Sequence, residues 1–154
     1  IDPMASADLI PPEFFAEVGL PAAQGTIKKI KGPTAYGLAG ARVVPVIPYL
    51  NKSGVVKIDI SAMDDLTEAK RLAAPDMVIG GNLNGISMCY WTEQEAEAAV
   101  KKAIAGGGPG GRFVLSEHHG ELPWRVPMKI LTTVAQAVQQ WGTFPLNWVD
   151  GHVR

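Results

Sequence analysis

Residues 54–81 read GVVKIDISAMDDLTEAKRLAAPDMVIGG, and this stretch decides the fold. At its start the β-branched run Val55–Ser61 predicts a buried strand, and at its end Asp76–Gly80 predicts a second short strand. Between the two, Asp65 with Glu68 three residues later is a capping-box-like beginning of a helix. A strand, a helix and a strand in this order are typical of a parallel βαβ unit.

The same alternation continues on both sides of that stretch. The other predicted elements are a helix within Pro11–Lys31, a weak strand at Thr34–Gly40, a poorly defined segment at Ala41–Lys52, a helix that begins at Thr92, a strand at Phe113–Ser116 and a helix from Met128 to Trp141. This order predicts an α/β fold with a parallel sheet. We expect one domain over residues 4–154, with residues 1–3 a remnant of an expression tag.

The composition narrows the classes of function. The chain has 154 residues, with 14 basic and 15 acidic side chains, so its net charge of −1 gives no electrostatic footprint for nucleic acid or an anionic membrane. Its apolar runs are too short to span a bilayer. The single cysteine, Cys89, rules out an internal disulfide and indicates a reducing compartment, so we expect a cytoplasmic protein.

Three stretches together resemble, in order and spacing, the C-terminal part of the uroporphyrinogen decarboxylase superfamily. They are Glu68–Leu72 (EAKRL), Val78–Asn84 (VIGGNLN) and Gly107–Gly120 (GGPGGRFVLSEHHG). In that superfamily a Gly-Asn turn follows the seventh strand, and a glycine-rich loop leads into an eighth strand that ends in Gly-His-Gly or Gly-Cys. The resemblance covers roughly residues 9–142 and implies half of a TIM-type (β/α)8 barrel, with about four parallel βα units.

A half barrel leaves two edge strands unpaired and the interior face of its sheet uncovered. Exposing that much apolar surface is costly. We therefore expect the chain to associate as a homo-oligomer or with a complementary N-terminal half barrel, rather than to remain a monomer.

Candidate catalytic residues cluster where the last predicted strand ends, because active groups of parallel barrels lie at the C-terminal ends of strands. Carboxylates and imidazoles of Glu117–Glu121 can act as acid and base or bind Zn²⁺. The resemblance gives His119 the position of a substrate-contacting histidine in the decarboxylases and of a cysteine ligand in zinc methyltransferases. The ordinary alternative is that His118 is a loop residue and that Glu117 pairs with a surface cation.

Two other strand ends supply further candidates. Gly81 lets the backbone approach a ligand, and the amides of Asn82 and Asn84 can donate and accept hydrogen bonds, so we expect a cofactor or ligand there, with an ordinary turn as the alternative. Asp59, inside an apolar run, is a candidate base or a structural hydrogen-bonding group. The half-barrel geometry predicts that Asp59, Asn82 and His119 gather on its inner rim.

The usual zinc site of the superfamily is missing from the sequence. The resemblance implies a His-x-Cys pair near Gly37–Gly40, and this chain has neither residue there. His119 also replaces the third thiolate. A zinc site made from Glu117, His119 and groups of a partner is the alternative, although residue spacing does not support it.

The resemblance leaves three functions open. The favoured one is the C-terminal part of a corrinoid-dependent methyltransferase, for methyl transfer or O-demethylation, with cobalamin carried by a partner corrinoid protein and the isolated chain inactive. The second is uroporphyrinogen decarboxylase of tetrapyrrole (porphyrin) biosynthesis, although the N-terminal arginines and aspartate that grip its substrate are absent here. The third is a non-catalytic half barrel that serves as an assembly subunit.

Overall fold

The computed structural model describes residues 7–37, 42–117 and 121–149. Its four strands form one parallel sheet in the order in which they follow along the chain. They are β1 (Ala35–Gly37), β2 (Lys57–Asp59), β3 (Val78–Leu83) and β4 (Phe113–Glu117).

A helix follows each strand. The helices are α1 (Pro12–Phe14) and α2 (Leu20–Ile27) ahead of the sheet, then α3 (Ile47–Leu50), α4 (Leu66–Leu72), α5 (Glu93–Gly107) and α6 (Met128–Trp141). Four βα units in sequential order make the chain half of a TIM-type barrel. The α/β prediction and its parallel sheet are confirmed.

Side-chain caps fix the start of two helices. Asp65 accepts a hydrogen bond from the Glu68 amide at 2.8 Å and caps α4. Thr92 and Glu95 form a complete capping box at the start of α5, in which each side chain accepts from the backbone amide of the other residue. Both helix starts therefore lie where the sequence predicts them.

Other boundaries differ from those that the sequence predicts. The helix ahead of the sheet passes through a π-helical segment, Phe15–Gly19, and ends at Ile27. A Cβ at Gly19 would lie 2.7 Å from the buried Phe15 ring, so the glycine makes room for that side chain. The strand predicted to end at Gly80 continues to Leu83, because β4 pairs alongside it over that length.

The two faces of the sheet have different surroundings. Ile58 and Ile79 are fully buried in the main core, together with side chains of α4 and α5, so the helices cover this face. On the opposite face, Lys57 and Asp59 remain partly exposed, and Val114 is 46% exposed. We call this second side of the sheet the open face; it corresponds to the interior of a complete barrel.

A smaller core fixes the loops that follow β3 and β4. Met88 of the first loop and Val126 of the second pack with Ala96 of α5 and Ile130 of α6. The two loops are therefore held against each other and against the helices. None of the described helices is long and apolar enough to cross a membrane.

Candidate functional site

The carboxyl-end edge of the sheet gathers polar groups from several loops, as the barrel geometry requires. Asn82 lies on β3 in register with Ser116 of β4. Its side-chain nitrogen donates to the backbone oxygens of Ser61 at 3.0 Å and Asp64 at 2.9 Å. No hydrogen bond to its carboxamide oxygen is found among the described residues, so that oxygen can accept from a ligand.

Asp64 is a second polar group at this edge, in the loop after β2. Its carboxylate accepts hydrogen bonds from the amides of Val43 at 2.8 Å, Val44 at 3.3 Å and Ser61 at 3.1 Å. Burial raises the pKa of the Asp64 carboxyl above its ordinary value, and the three amide hydrogen bonds, which lower the pKa, offset this only in part. The nearby Asp8 carboxylate adds to the rise.

Asp59 lies at the end of β2 on the open face. Its carboxylate forms an ion pair with Lys57, two residues earlier on the same strand. The pair lies over Gly80 of β3, where an added Cβ would collide with the Asp59 carboxylate. No hydrogen bond between Asp59 and Asn82 is present among the described residues, and the shared rim predicted for the two with His119 stays a prediction.

Gly81 and Asn84 have local roles in the same segment. At Gly81 the backbone has a φ of +129°, and a Cβ there would lie 2.8 Å from the Ile60 carbonyl oxygen, so this glycine allows β3 to approach β2 closely. The Asn84 side chain accepts from the Ser87 amide at 3.0 Å, which caps the short turn that follows. Ligand binding by either residue stays a prediction.

Glu117 is the last residue of β4, in register with Leu83. A Cβ at Gly85 would lie 2.9 Å from its Oε2 atom, so its carboxylate lies against the loop after β3. His118, His119 and Gly120 lie outside the described residues. The predicted catalytic roles of Glu117 and His119 therefore stay predictions.

The metal hypothesis receives no support from the described part of the chain. Within residues 7–37, 42–117 and 121–149, no group of three or more His, Cys, Asp or Glu side chains is arranged to hold a metal ion. Cys89 lies half-buried against the smaller core of Met88 and Val126.

A cavity of about 470 Å³ opens beside these groups, between α4 and α5. It combines polar side chains with apolar walls. Its lining includes Asp64, Asn82, Asn84, Trp91 and Lys102. Because it adjoins the carboxyl ends of β2 and β3, it lies at the end of the sheet where barrel enzymes bind ligands.

Large apolar side chains are exposed on the two loops held by the smaller core and at the first residue of α6. We call this set the apolar rim; its members, with their exposed fractions, are Ile86 (55%), Tyr90 (72%), Leu122 (46%), Trp124 (99%) and Met128 (75%). Exposed aromatic and methionine side chains on an ordered support are typical of a surface that contacts a ligand or another molecule.

Sequence reasoning missed two of these features. The hydrogen bonds of Asp64 were not predicted. Its neighbour Asp65 is a helix cap, and this role was sufficient to explain the two adjacent aspartates. The apolar rim was not predicted as a unit from the sequence. A signal was present: aromatic residues in two loops of adjacent strands converge at one edge of a parallel sheet.

Comparisons with family models and with solved structures find similar proteins, whereas the comparison with curated proteins finds none. A family model described as uroporphyrinogen decarboxylase (URO-D) matches residues 1–141. No curated protein matches the chain. Among solved structures, a methyltransferase from Methanosarcina mazei is similar, with a TM-score of 0.78 at 19% sequence identity over 92% of this chain and 41% of that chain. The chain thus spans less than half the length of that structure, and the likeness shows the shared fold.

Proposed function

Because the chain belongs to the uroporphyrinogen decarboxylase (URO-D) family, we propose that it is the C-terminal part of a corrinoid-dependent methyltransferase that carries out methyl transfer or O-demethylation. In this proposal, cobalamin is carried by a partner corrinoid protein that docks at the carboxyl-end edge of the sheet. The 154-residue chain is inactive by itself, because a barrel active site is assembled from loops around the whole rim.

The apolar rim is the observation that carries the proposal. A corrin ring presents a broad face with much apolar surface, and aromatic side chains such as Tyr90 and Trp124 bury large areas against such a face. The smaller core that includes Met88 and Val126 holds both rim loops in place. Little conformational entropy is then lost on binding, which favours affinity.

Polar contacts are supplied by the neighbouring strand end. The carboxamide oxygen of Asn82, to which no described residue donates, accepts in this proposal from the amide groups that fringe a corrin ring. When bound, the cobalt of cobalamin supplies the methyl-transfer chemistry, and in this proposal Asp59, Glu117 and His119 act as proton-transferring or substrate-orienting groups. The residues present do not fit the superfamily's usual zinc set, and we assign no step to zinc.

Uroporphyrinogen decarboxylase activity is the second candidate, and the matching family model favours it. Its substrate is also a tetrapyrrole, with apolar faces for the rim and pyrrole N–H donors for Asn82. The two candidates therefore share a ligand chemistry. They differ in whether the chain recognises a corrin ring or a porphyrinogen ring, for which the oxidised form uroporphyrin is a stable probe.

Titration with two probes separates the candidates. Hydroxocobalamin and uroporphyrin are added separately to the chain. The Kd of each probe is obtained from the quenching of tryptophan fluorescence and from the change in absorbance of the ring. We expect hydroxocobalamin to bind, and Trp124→Ala to weaken its binding roughly thirtyfold, the typical loss for a central aromatic contact. The matched control is Phe144→Ala, since Phe144 is also exposed but lies with Pro109 and Gly110, away from the rim.

Each outcome has a clear meaning. Binding of uroporphyrin without hydroxocobalamin would favour the decarboxylase. Binding of neither probe would contradict tetrapyrrole recognition by the apolar rim, the observation that carries the proposal, and would favour the assembly subunit. Equal loss of affinity in Trp124→Ala and Phe144→Ala would contradict a role for the rim.

A further inference from the structure

Asp64 joins loops that are distant in sequence, and the proposed function does not use it. Its carboxylate accepts from Val43 and Val44, which lie in the connection after β1, and from Ser61, just after β2. A single side chain thus connects the loops that follow two neighbouring strands. Three amide donors on one carboxylate are a charge-assisted network, in which each bond is stronger than a neutral one.

The third strand, β3, is connected to these two loops through the backbone of a turn that contains Asp64. The Asp64 amide donates to the Ser61 oxygen at 3.0 Å and closes the turn Ser61–Asp64. The side-chain nitrogen of Asn82 donates to the backbone oxygens at both ends of that turn. The orientation of the Asn82 carboxamide is therefore set by the turn that the Asp64 carboxylate holds.

The Asp64 carboxylate is held in this arrangement against a cost of burial. Burial raises the pKa of the Asp64 carboxyl despite its three amide donors, which means that the folded protein disfavours the charged form. A neutral asparagine would avoid the desolvation of a charge but could not accept at both oxygen positions. Ionisable groups held at such a cost are concentrated at functional sites.

We propose that Asp64 is a positioning residue, which acts through the turn Ser61–Asp64 to hold Asn82 with its carboxamide oxygen available to a ligand. Only the identity of that ligand rests on the proposed function. Asp64 itself touches no reacting group in this inference. Its effect on binding is transmitted by the two hydrogen bonds that Asn82 donates.

Nuclear magnetic resonance of the ligand-free chain tests the positioning directly. The side-chain amide of Asn82, assigned by its loss in Asn82→Ala, is followed in Asp64→Asn. Oδ2 of Asp64 accepts from both Val43 and Ser61, and an amide nitrogen in that place cannot accept. We expect the Asn82 amide protons to shift and to exchange with water about tenfold faster, as for loss of one charge-assisted hydrogen bond.

The neighbouring aspartate supplies a matched control. Asp65→Asn makes the same change of charge one residue away and keeps α4 capped, since asparagine caps helices as well as aspartate does. The Asn82 signals should be unchanged in this variant. Equal Asn82 signals in Asp64→Asn and in the unmodified chain would overturn the proposal.

A reciprocal measurement does not depend on the folding of an Asp64 variant. Asn82→Ala removes both donors to the turn, so we expect the amide protons of Val43 and Val44 to exchange faster, although Asn82 bonds to neither residue. Asn147→Ala, an exposed asparagine near Pro109 and Gly110, is the control. Unchanged exchange of the Val43 and Val44 amide protons would show that the turn does not couple Asn82 to the Asp64 carboxylate.

Binding measurements keep this inference separate from the proposed function. If hydroxocobalamin binds, Asp64→Asn and Asn82→Ala should raise its Kd by similar factors, and the double variant should be no worse than Asn82→Ala alone. Additive losses would overturn the positioning role. If hydroxocobalamin does not bind while the resonance changes occur, the proposed function fails and the positioning of Asn82 stands.

Discussion

At Gly81 the chain allows two strands to approach more closely than a side chain would permit. The backbone adopts a φ of +129°, which side chains other than glycine rarely tolerate, and a Cβ there would meet the Ile60 carbonyl oxygen at 2.8 Å. The Ile60 carbonyl oxygen belongs to the backbone, so it cannot rotate away from such a contact in the way that a flexible side chain can. The residue next to Asn82 is thus fixed by packing, independently of any role of Asn82 in ligand binding.

We predict that Gly81→Ala destabilises the chain by about 2–5 kcal/mol, the sum of an overpacked contact and a strained backbone. The free energy of unfolding in urea measures the loss. Gly37→Ala is the control, because a Cβ at Gly37 meets nothing within 4 Å, and its stability should differ by less than about 1 kcal/mol. Equal stability of the two variants would contradict the steric argument.

Residue types and strand ends were enough to predict part of the candidate site. Asn82 was selected from the sequence, and the structure gives it partners at one edge of the sheet. The role of Asp64 could not be predicted, because its partners Val43 and Val44 are backbone amides 20 or more residues away. A side chain that bonds to distant backbone leaves no spacing pattern in the sequence.

Among the secondary-structure elements, local signals were predictable and long-range ones were not. The capping box of α5 depends on residues three apart and was recognised from Thr92 and Glu95. The extension of β3 to Leu83 depends on its pairing with β4, more than 30 residues away, so the glycines at 80 and 81 were misread as the end of the strand. Pairing partners decide where strands end.

The capping box predicts a stability loss that depends on pH. Thr92→Ala should cost about 1 kcal/mol near neutral pH, since an orphan amide of α5 loses its acceptor. Hydrogen bonds from the Thr92 amide and hydroxyl lower the pKa of the Glu95 carboxyl below its ordinary value. Because the folded-state pKa is the lower one, the Glu95 contribution is present above its unfolded pKa and is lost as the pH falls through the folded value.

Urea unfolding at a series of pH values checks this prediction. The stability difference between the unmodified chain and Thr92→Ala should shrink as the pH falls below the ordinary glutamate pKa of about 4.3. Thr132→Ala is the control within α6, where the Thr132 hydroxyl donates to the Met128 carbonyl oxygen one turn earlier in the same helix. Its stability should change by less than about 0.5 kcal/mol. A difference that grows on acidification would contradict the sign derived for Glu95.

For the molecule as a whole, the open face of the sheet is the feature that most needs explanation. In a complete barrel it is the packed interior, whereas here Val114 is 46% exposed and the Lys57–Asp59 ion pair is partly solvated. Along the edges, β1 and β4 each pair with a single neighbour within the described chain. Unpaired edges and exposed apolar groups both favour association with another sheet.

Association with a second copy is therefore the outcome that we predict for the purified chain, because no other half barrel is present in such a sample. Size-exclusion chromatography with light scattering should give at least twice the mass of one chain. Val114→Lys places a charge on the open face, where burying it on association is costly, and should shift the population to single chains. Val18→Lys, at an equally exposed site on the helix ahead of the sheet, should associate as before. A folded, monodisperse single chain without either substitution would contradict closure of the half barrel by association and would leave the open face stable in water.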